Sequence, residues 1–434
     1  MKLFSLSDPK SFIIFTVIAG LLLAGCAPEV SMAIAQSNNP RASASQVAGE
    51  DLQALVSGNS AFALDFYQAV RGADGNLFFS PYSLSLALAM TYVGANGETA
   101  AQMAEALRFL VPDERLHPAF NALDQQLASR SQTTGPAEEG QKFQLRIANS
   151  IWGQADFAFL SAFLDRLAEN YGAGLRLLDF QKGSEPAREA INEWISEQTE
   201  EKIKDLIPQG GIDEDTRLVL ANAIYFYADW LIPFEKERTR PGPFTLLDGR
   251  QIEVPMMSRD QPTALRYAQY EGVQVVELPY TGNTAAMLIL VPEAGKLAEF
   301  EAALDAERLE QVLAGLEPVQ VDLVMPKFKF QSKYNLAGTL AGMGMPAAFD
   351  PDLADFSGMD GKRDLVIGDV FHQAFVAVDE KGTEAAAATA VVMKLTAMMM
   401  VDVKLMVDRP FVFLIRDIPT GTILFAGRVV DPSQ

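Results

Sequence analysis

The chain is short of the residues on which most catalysts depend. Its 434 residues contain one cysteine, Cys26, which excludes an intramolecular disulfide, and two histidines, His117 and His372. No Gly-x-Ser-x-Gly, His-Glu-x-x-His or phosphate-loop pattern occurs, so no nucleophile with its base and no metal-ligating run can be read from local sequence. The chain is therefore expected not to be an enzyme, and to need no cofactor or metal. Positive charge is also scarce: 35 Lys and Arg stand against 56 Asp and Glu, a formal charge of −21. Such a balance argues against nucleic acid or another polyanion as partner, since both would be repelled. Beyond residue 50 there is neither a Pro/Gly-rich linker nor an internal repeat, and a hydrophobic content of 49% suffices for a large core. One large domain over residues 51–434 is the simplest organisation, although it exceeds the usual domain size.

Residues 1–25 carry Lys2 and Lys10 ahead of the apolar run Phe12–Leu23, a signal-peptide pattern too short for a permanent span. It closes on Leu23-Ala24-Gly25-Cys26, which resembles the bacterial lipobox, where cleavage leaves a lipid-bearing cysteine at the new N-terminus. Removing Lys2, Lys10 and Asp8 changes the charge by −1, to −22. Residues 26–50 are rich in Ser, Ala, Asn and Gln without a sustained period, and read as a lipidated flexible tether. A coil of about 22 residues has an end-to-end distance of roughly 25 Å. The expectation is an extracytoplasmic protein anchored to the lipid bilayer of the cell envelope through Cys26.

From Asp51 the chain is periodic. Phe62, Phe66 and Val70 fall at helical spacing, ending near Gly72; Asn76–Phe79 reads as a short buried strand. Ser80-Pro81 suits an N-cap followed by proline at the first helical position, for a helix reaching about Val93. Thr99 with Gln102 suits a capping box. Helical spacing returns at 116–127, 155–171, 191–207 and 297–313. Strands are expected at 143–152, 218–226, 244–254, 265–269, 273–279, 285–291 and 319–329. Helices dominate early and strands late, which implies an α+β architecture rather than the alternation of a doubly wound sheet.

Residues 379–410 carry two messages. Gly382 and Ala385, Ala386, Ala387 and Ala388 offer no large side chain to a core, which suits an exposed loop. Counting by twos, however, Thr383, Ala385, Ala387, Thr389, Val391 and Met393 share one face, while Glu384 and Lys394 share the other. Four alanines also suit a plain amphipathic helix, but Thr389, Val391 and Val392 favour a strand. The run Glu380-Lys381-Gly382-Thr383-Glu384-Ala385 through Val392 resembles the hinge of the serpins, and Asp408-Arg409-Pro410-Phe411 the segment after their reactive loop. Asn76–Ser83, Thr216–Phe226, Val254–Met257, Pro326–Phe328 and Val370–His372 follow in the family's order.

That resemblance implies the serpin fold, with helices packed around three mostly antiparallel or mixed sheets and an exposed reactive-centre loop able to insert into the main sheet. It implies a suicide-substrate inhibitor of serine proteases; the alternative is a non-inhibitory carrier or chaperone, whose hinge would tolerate larger or charged residues. Ser80, Ser83, Asn222 and His372 would form the shutter, Trp230 and Lys327 the breach, with Glu380 pairing Lys327. Tyr227-Ala228-Asp229 departs from the usual residues before that tryptophan. The family's commonest spacing, seventeen residues starting from Glu380, would put the reactive bond at Thr396-Ala397, with Leu395, or Met399 and Met400, as alternatives. Small and apolar residues there suit elastase-, subtilisin- or chymotrypsin-like targets. A monomer is expected, and no glycosaminoglycan binding, since 113–130 holds Arg115, His117 and Arg130 against Asp113, Glu114 and Asp124.

Overall fold

The computed structural model describes residues 32–44, 47–130, 143–383 and 400–434. Cys26, Ala385, Ala386, Ala387, Ala388, Thr389, Leu395, Thr396, Ala397 and Met399 lie outside the described residues. In chain order the main elements are β1 (Ala33–Ala35), α1 (Gly49–Val70), β2 (Leu77–Phe79), α2 (Pro81–Tyr92), α3 (Gly97–Ala106), α4 (Asp113–Arg130), β3 (Phe143–Gln154), α5 (Ser161–Tyr171), β4 (Leu175–Leu178), α6 (Phe180–Gln198) and β5 (Leu218–Asp229). There follow β6 (Arg240–Thr245), β7 (Gln251–Ser258), β8 (Thr263–Tyr270), β9 (Val273–Pro279), β10 (Ala285–Pro292), α7 (Leu297–Ala302), α8 (Ala306–Ala314), β11 (Glu317–Pro326) and β12 (Phe328–Asn335). The chain closes with α9 (Ala337–Gly342), α10 (Ser357–Asp360), β13 (Asp369–Val378), β14 (Gly382–Thr383), β15 (Val403–Met406), β16 (Phe411–Asp417) and β17 (Ile423–Val429).

The strands make two hydrogen-bonded sheets. The first has the order β1-β4-β3-β5-β14-β13-β12. The second runs β2-β17-β16-β10-β9-β8-β11-β7-β6, with β15 on β11. Three sheets are implied by the sequence resemblance, and β11 explains the difference. Its first half pairs β8 from Glu317 to Val321 and its second half pairs β7 from Val324 to Pro326, so one strand joins what would otherwise be two smaller sheets.

Burial follows residue type. All twelve positions of β5 are buried, as expected for a central strand covered on both faces. One face of β5 meets α6, where Val219, Ala221 and Ala223 pack with Ile191, Ile195 and Phe371. On the other face Ile224, Phe226 and Ala228 join a cluster with Met287, Phe413 and Phe425 from the second sheet. The helix α2 is buried from Pro81 to Thr91, so it lies in the core rather than on the surface.

Several sequence expectations are corrected. Residues 26–50 are not a tether throughout: Ala33, Ile34 and Ala35 pair with Leu177, Arg176 and Leu175. Beyond them Ser37 donates to Asp165 at 2.5 Å, and Arg41 binds Asn121 at 2.8 Å and Asp124 at 2.6 Å. The unpaired edge of β4 supplies hydrogen-bond partners that composition alone could not reveal. Thr99 and Gln102 make no capping box. Asn96 is the N-cap, while Thr99 Oγ1 accepts from Asp355 N and Gln102 Oε1 from Ala347 N. The helix expected at 155–171 begins only at Ser161, and that at 191–207 spans 180–198. The 244–254 and 319–329 stretches each divide into two strands, and 297–313 into two helices.

Candidate functional site

A seam runs down the first sheet between β5 and β13. Over six residue pairs, from Val219 opposite Asp369 to Ile224 opposite Ala374, the two strands are parallel partners. Above that level they part, and β14 lies between them: Gly382 faces Asp229, and Thr383 faces Ala228 on one side and Val378 on the other. Gly382 is required by the close approach, because a Cβ there would collide with the carbonyl of Ala228. The first hinge residues are thus already strand.

The turn leading into β14 is held on all sides. Trp230 N donates to Lys381 O at 2.6 Å and Trp230 Nε1 to Asp379 O at 3.0 Å, while Phe234 N donates to Glu380 O at 2.8 Å. Trp230 stacks on Tyr280, centroids 4.6 Å apart and planes 8° apart. The Tyr280 hydroxyl lies 2.6 Å from Thr383 Oγ1, both buried, and burial drives its pKa far up. Lys327 Nζ reaches Glu380 Oε2 at 2.8 Å, the pairing expected from sequence, and Thr239 Oγ1 donates to Glu380 Oε1 at 2.7 Å. Burial pushes the Glu380 carboxyl up, but these two donors outweigh it and leave its pKa below the usual value.

Halfway down the seam, Ser80, Ser83, Asn222 and His372 come together with no solvent exposure. Ser80 Oγ accepts from Ser83 N at 3.2 Å, the helix cap expected from sequence, and donates to Leu424 O at 2.7 Å. His372 Nε2 accepts from Ser80 N at 3.1 Å. The imidazole proton therefore sits on Nδ1, which donates to Asn222 Oδ1 at 2.5 Å. Asn222 Nδ2 in turn donates to Ser83 Oγ at 2.7 Å and to Asn149 Oδ1. Burial pushes His372 down to about 3, so the ring is neutral. The direct His372–Asn222 bond crosses from β13 to β5 and helps to hold the seam shut.

Asn149 and Tyr280 were missed by the sequence reading. Asn149 sits in an apolar strand pattern and Tyr280 follows Pro279 at a strand end, so neither carries a local signal; only pairing across the sheet reveals them. Met400, an alternative for the reactive bond, is 85% exposed. The remaining reactive-bond candidates lie outside the described residues.

A family model described as Serpin (serine protease inhibitor) matches residues 57–432. The human leukocyte elastase inhibitor is 38% identical over 390 residues, covering 88% of this chain and all of that one. An uncharacterised serpin-like protein of Thermococcus kodakarensis is 38% identical over 382 residues, covering 88% of this chain and 86% of that one. Among solved structures, the thermophilic serpin tengpin in its native state aligns with a TM-score of 0.79 at 29% identity, covering 91% of this chain and 97% of the other. Serpin48 of the insect Tenebrio molitor aligns with a TM-score of 0.75 at 29% identity, covering 88% and 99%.

Proposed function

Because the chain belongs to the serpin family, we propose that it inhibits serine proteases as a suicide substrate, through insertion of its reactive loop into the β5–β13 seam. The observation that carries the reading is β14. Its two residues already occupy the strand position between β5 and β13, above a seam closed by a six-pair ladder. In the proposed reaction the protease serine Oγ attacks the Thr396 carbonyl, the Thr396–Ala397 C–N bond breaks, and the Ala397 amine leaves with a proton. An ester joins protease and inhibitor. Insertion of residues 384 onward before water hydrolyses that ester would trap the protease.

The register of β14 states what each loop residue would meet. Residue 383 + n falls opposite 228 − n on β5 and 378 − n on β13. Those two counts differ by 150 throughout, as do the existing partners Asn222 and His372, so both strands demand one register. Ala385 and Ala387 would face Phe226 and Ile224 in the core, where bulk or charge would stall entry. Thr389 would arrive between Asn222 and His372 with a hydroxyl to replace the bond that insertion breaks. The human relative is named for inhibition of leukocyte elastase, in keeping with the small and apolar residues around Thr396. Incubation with elastase-, subtilisin- and chymotrypsin-like proteases, followed by a denaturing gel, should give a covalent complex of summed mass. Cleavage of the loop by every member of the panel with no complex would overturn the reading.

The anchor is a separate proposal, supported by Leu23-Ala24-Gly25-Cys26: the mature chain begins at a lipid-bearing Cys26 on the outer side of a bacterial membrane. Mass spectrometry of the N-terminal peptide should show an acylated Cys26, and an unmodified chain beginning elsewhere would refute it.

A further inference from the structure

The pairing of β1 with the outer edge of β4 can be followed strand by strand across the first sheet. Ala33 faces Leu177, Leu177 faces Gly153, and Gly153 faces Leu218 at the start of β5. Ala33 therefore lies level with the foot of the seam, beside the lowest β5–β13 pair, Val219 and Asp369. Thr383 lies level with Ala228, which is 228 − 218 = 10 residues higher on β5. At about 3.3 Å per residue the two levels stand roughly 33 Å apart. Because β4 runs towards the foot and β1 is antiparallel to it, the N-terminal end of β1 points away from the hinge.

This exit is held in place. Beyond β1, Ser37 donates to Asp165, Asn39 to Glu169 and Ala42 N to Glu169 O, which pins the following residues to α5. From Cys26 to Ala33 there are 33 − 26 = 7 residue steps, and no conformation of seven steps exceeds about 25 Å. Only the number of residues enters that bound. With the hinge end turned against a bilayer, Ala33 would stand roughly 33 Å or more above the lipid, so a lipid on Cys26 could not reach it. The foot itself is acidic: Asp213, Glu214 and Asp215 lie there with Asp156 and Asp179, against Lys182 and Arg217. Attraction to an anionic surface therefore does not set the orientation, and the short leash does.

We infer that β1 orients the molecule on a membrane: the foot of the first sheet, around Ala33, Leu178 and Leu218, faces the lipid bilayer, and the hinge end faces the aqueous phase. The inference rests on the lipid anchor proposed above. It adds which side of the protein meets the lipid, and it leaves the hinge end open to proteases arriving from solution.

The test uses the full lipidated chain in phosphatidylcholine vesicles that carry an acceptor dye on their headgroups. Cys26 is the single cysteine and its sulfur would bear the lipid, so one introduced cysteine is the only thiol free to take a donor dye. Glu214→Cys labels the foot; Glu237→Cys, two residues from the Thr239 that binds Glu380, labels the hinge end, and both positions are exposed. Energy transfer from the foot should be at least about twofold more efficient than from the hinge end, given levels roughly 33 Å apart. Equal transfer, or more from Glu237→Cys, would overturn the inference. The double variant Ile34→Pro/Ala35→Pro should unpair β1, since one of two neighbouring residues must donate to β4. The leash then extends to Ser37, 37 − 26 = 11 steps or about 39 Å, and most of the difference between the two dyes should vanish. An undiminished difference would overturn the role of β1. Failure of the anchor looks different: the chain then does not float with the vesicles and neither dye transfers, so both readings fall, whereas equal transfer leaves the anchor standing.

Discussion

At the residue scale the seam is governed by a few buried polar atoms. Thr383 faces the core, its hydroxyl on Tyr280, so Thr383→Arg would need a guanidinium desolvated without a partner. That variant should be cleaved by proteases the wild type traps, with the yield of covalent complex falling at least about tenfold, and an unchanged yield would contradict the role of β14. His372 gives a pH dependence. Its folded pKa, pushed from 6.5 to about 3, lies below its unfolded value, so the unfolded chain binds the proton first. Stability is thus flat above pH 6.5 and falls towards pH 3 by about 1.4 kcal/mol per pH unit, or about 2 kcal/mol at pH 5. Urea midpoints at pH 7 and pH 5 should show at least that slope, because His117, its pKa also lowered by burial, adds to it in the same sense, and His372→Gln should flatten the profile without abolishing it, even though its stability is lower overall. The serines, Asn222 and His372 were legible because they stand in motifs; Asn149 and Tyr280 were not, because what recruits them is a partner more than sixty residues away.

At the element scale the segment before α1 is the main departure from expectation. Residues 32–44 add a strand to the edge of β4 and continue as a strap across α5 and α4: Asn39 to Glu169, Ala42 N to Glu169 O, and Arg41 to Asn121 and Asp124. It joins β4, on one side of the seam, to α4. Arg41→Ala should cost about 1 kcal/mol, since its guanidinium and the Asp124 carboxylate are both under one-third exposed. Hydrogen exchange on β4 should speed up in the same variant. Unchanged exchange at Leu175 to Leu178 would show that the strap does not secure that edge. The composition of 26–50 correctly lacks a helical or strand period of any length, and three residues of edge pairing are too few to leave one.

At the scale of the whole molecule charge decides the choice of partners. With −21 overall, and with Arg115 on Asp51, Arg130 on Asp417 and His117 buried between Tyr171 and Asp113, these three residues of α4 have no uncommitted cation to offer a polyanion. Heparin should leave the second-order inhibition rate within about twofold of its value without it, because no counterions are released. A tenfold acceleration would show a basic surface formed by other means. The acidic surface also bears on an anchored chain: an anionic bilayer repels it, so attachment would rest on lipid rather than on protein charge.

The sequence by itself determined what is periodic or contiguous: the early helices, the later strands and the capped start of α2. Those features follow from side-chain size and spacing within a few residues, and they survive in any tertiary context. Only the tertiary structure decided how distant segments register. Whether Gly382 and Thr383 pair, which strand edge takes residues 33–35, and how β11 is shared between two halves of a sheet all depend on complementarity between segments far apart in sequence. A strand's period of two fixes its faces but not its partner, and a shift of one residue would have exchanged its buried and exposed sides. The buried Tyr280 hydroxyl, the collision that demands Gly382 and the polar cluster around His372 select one register.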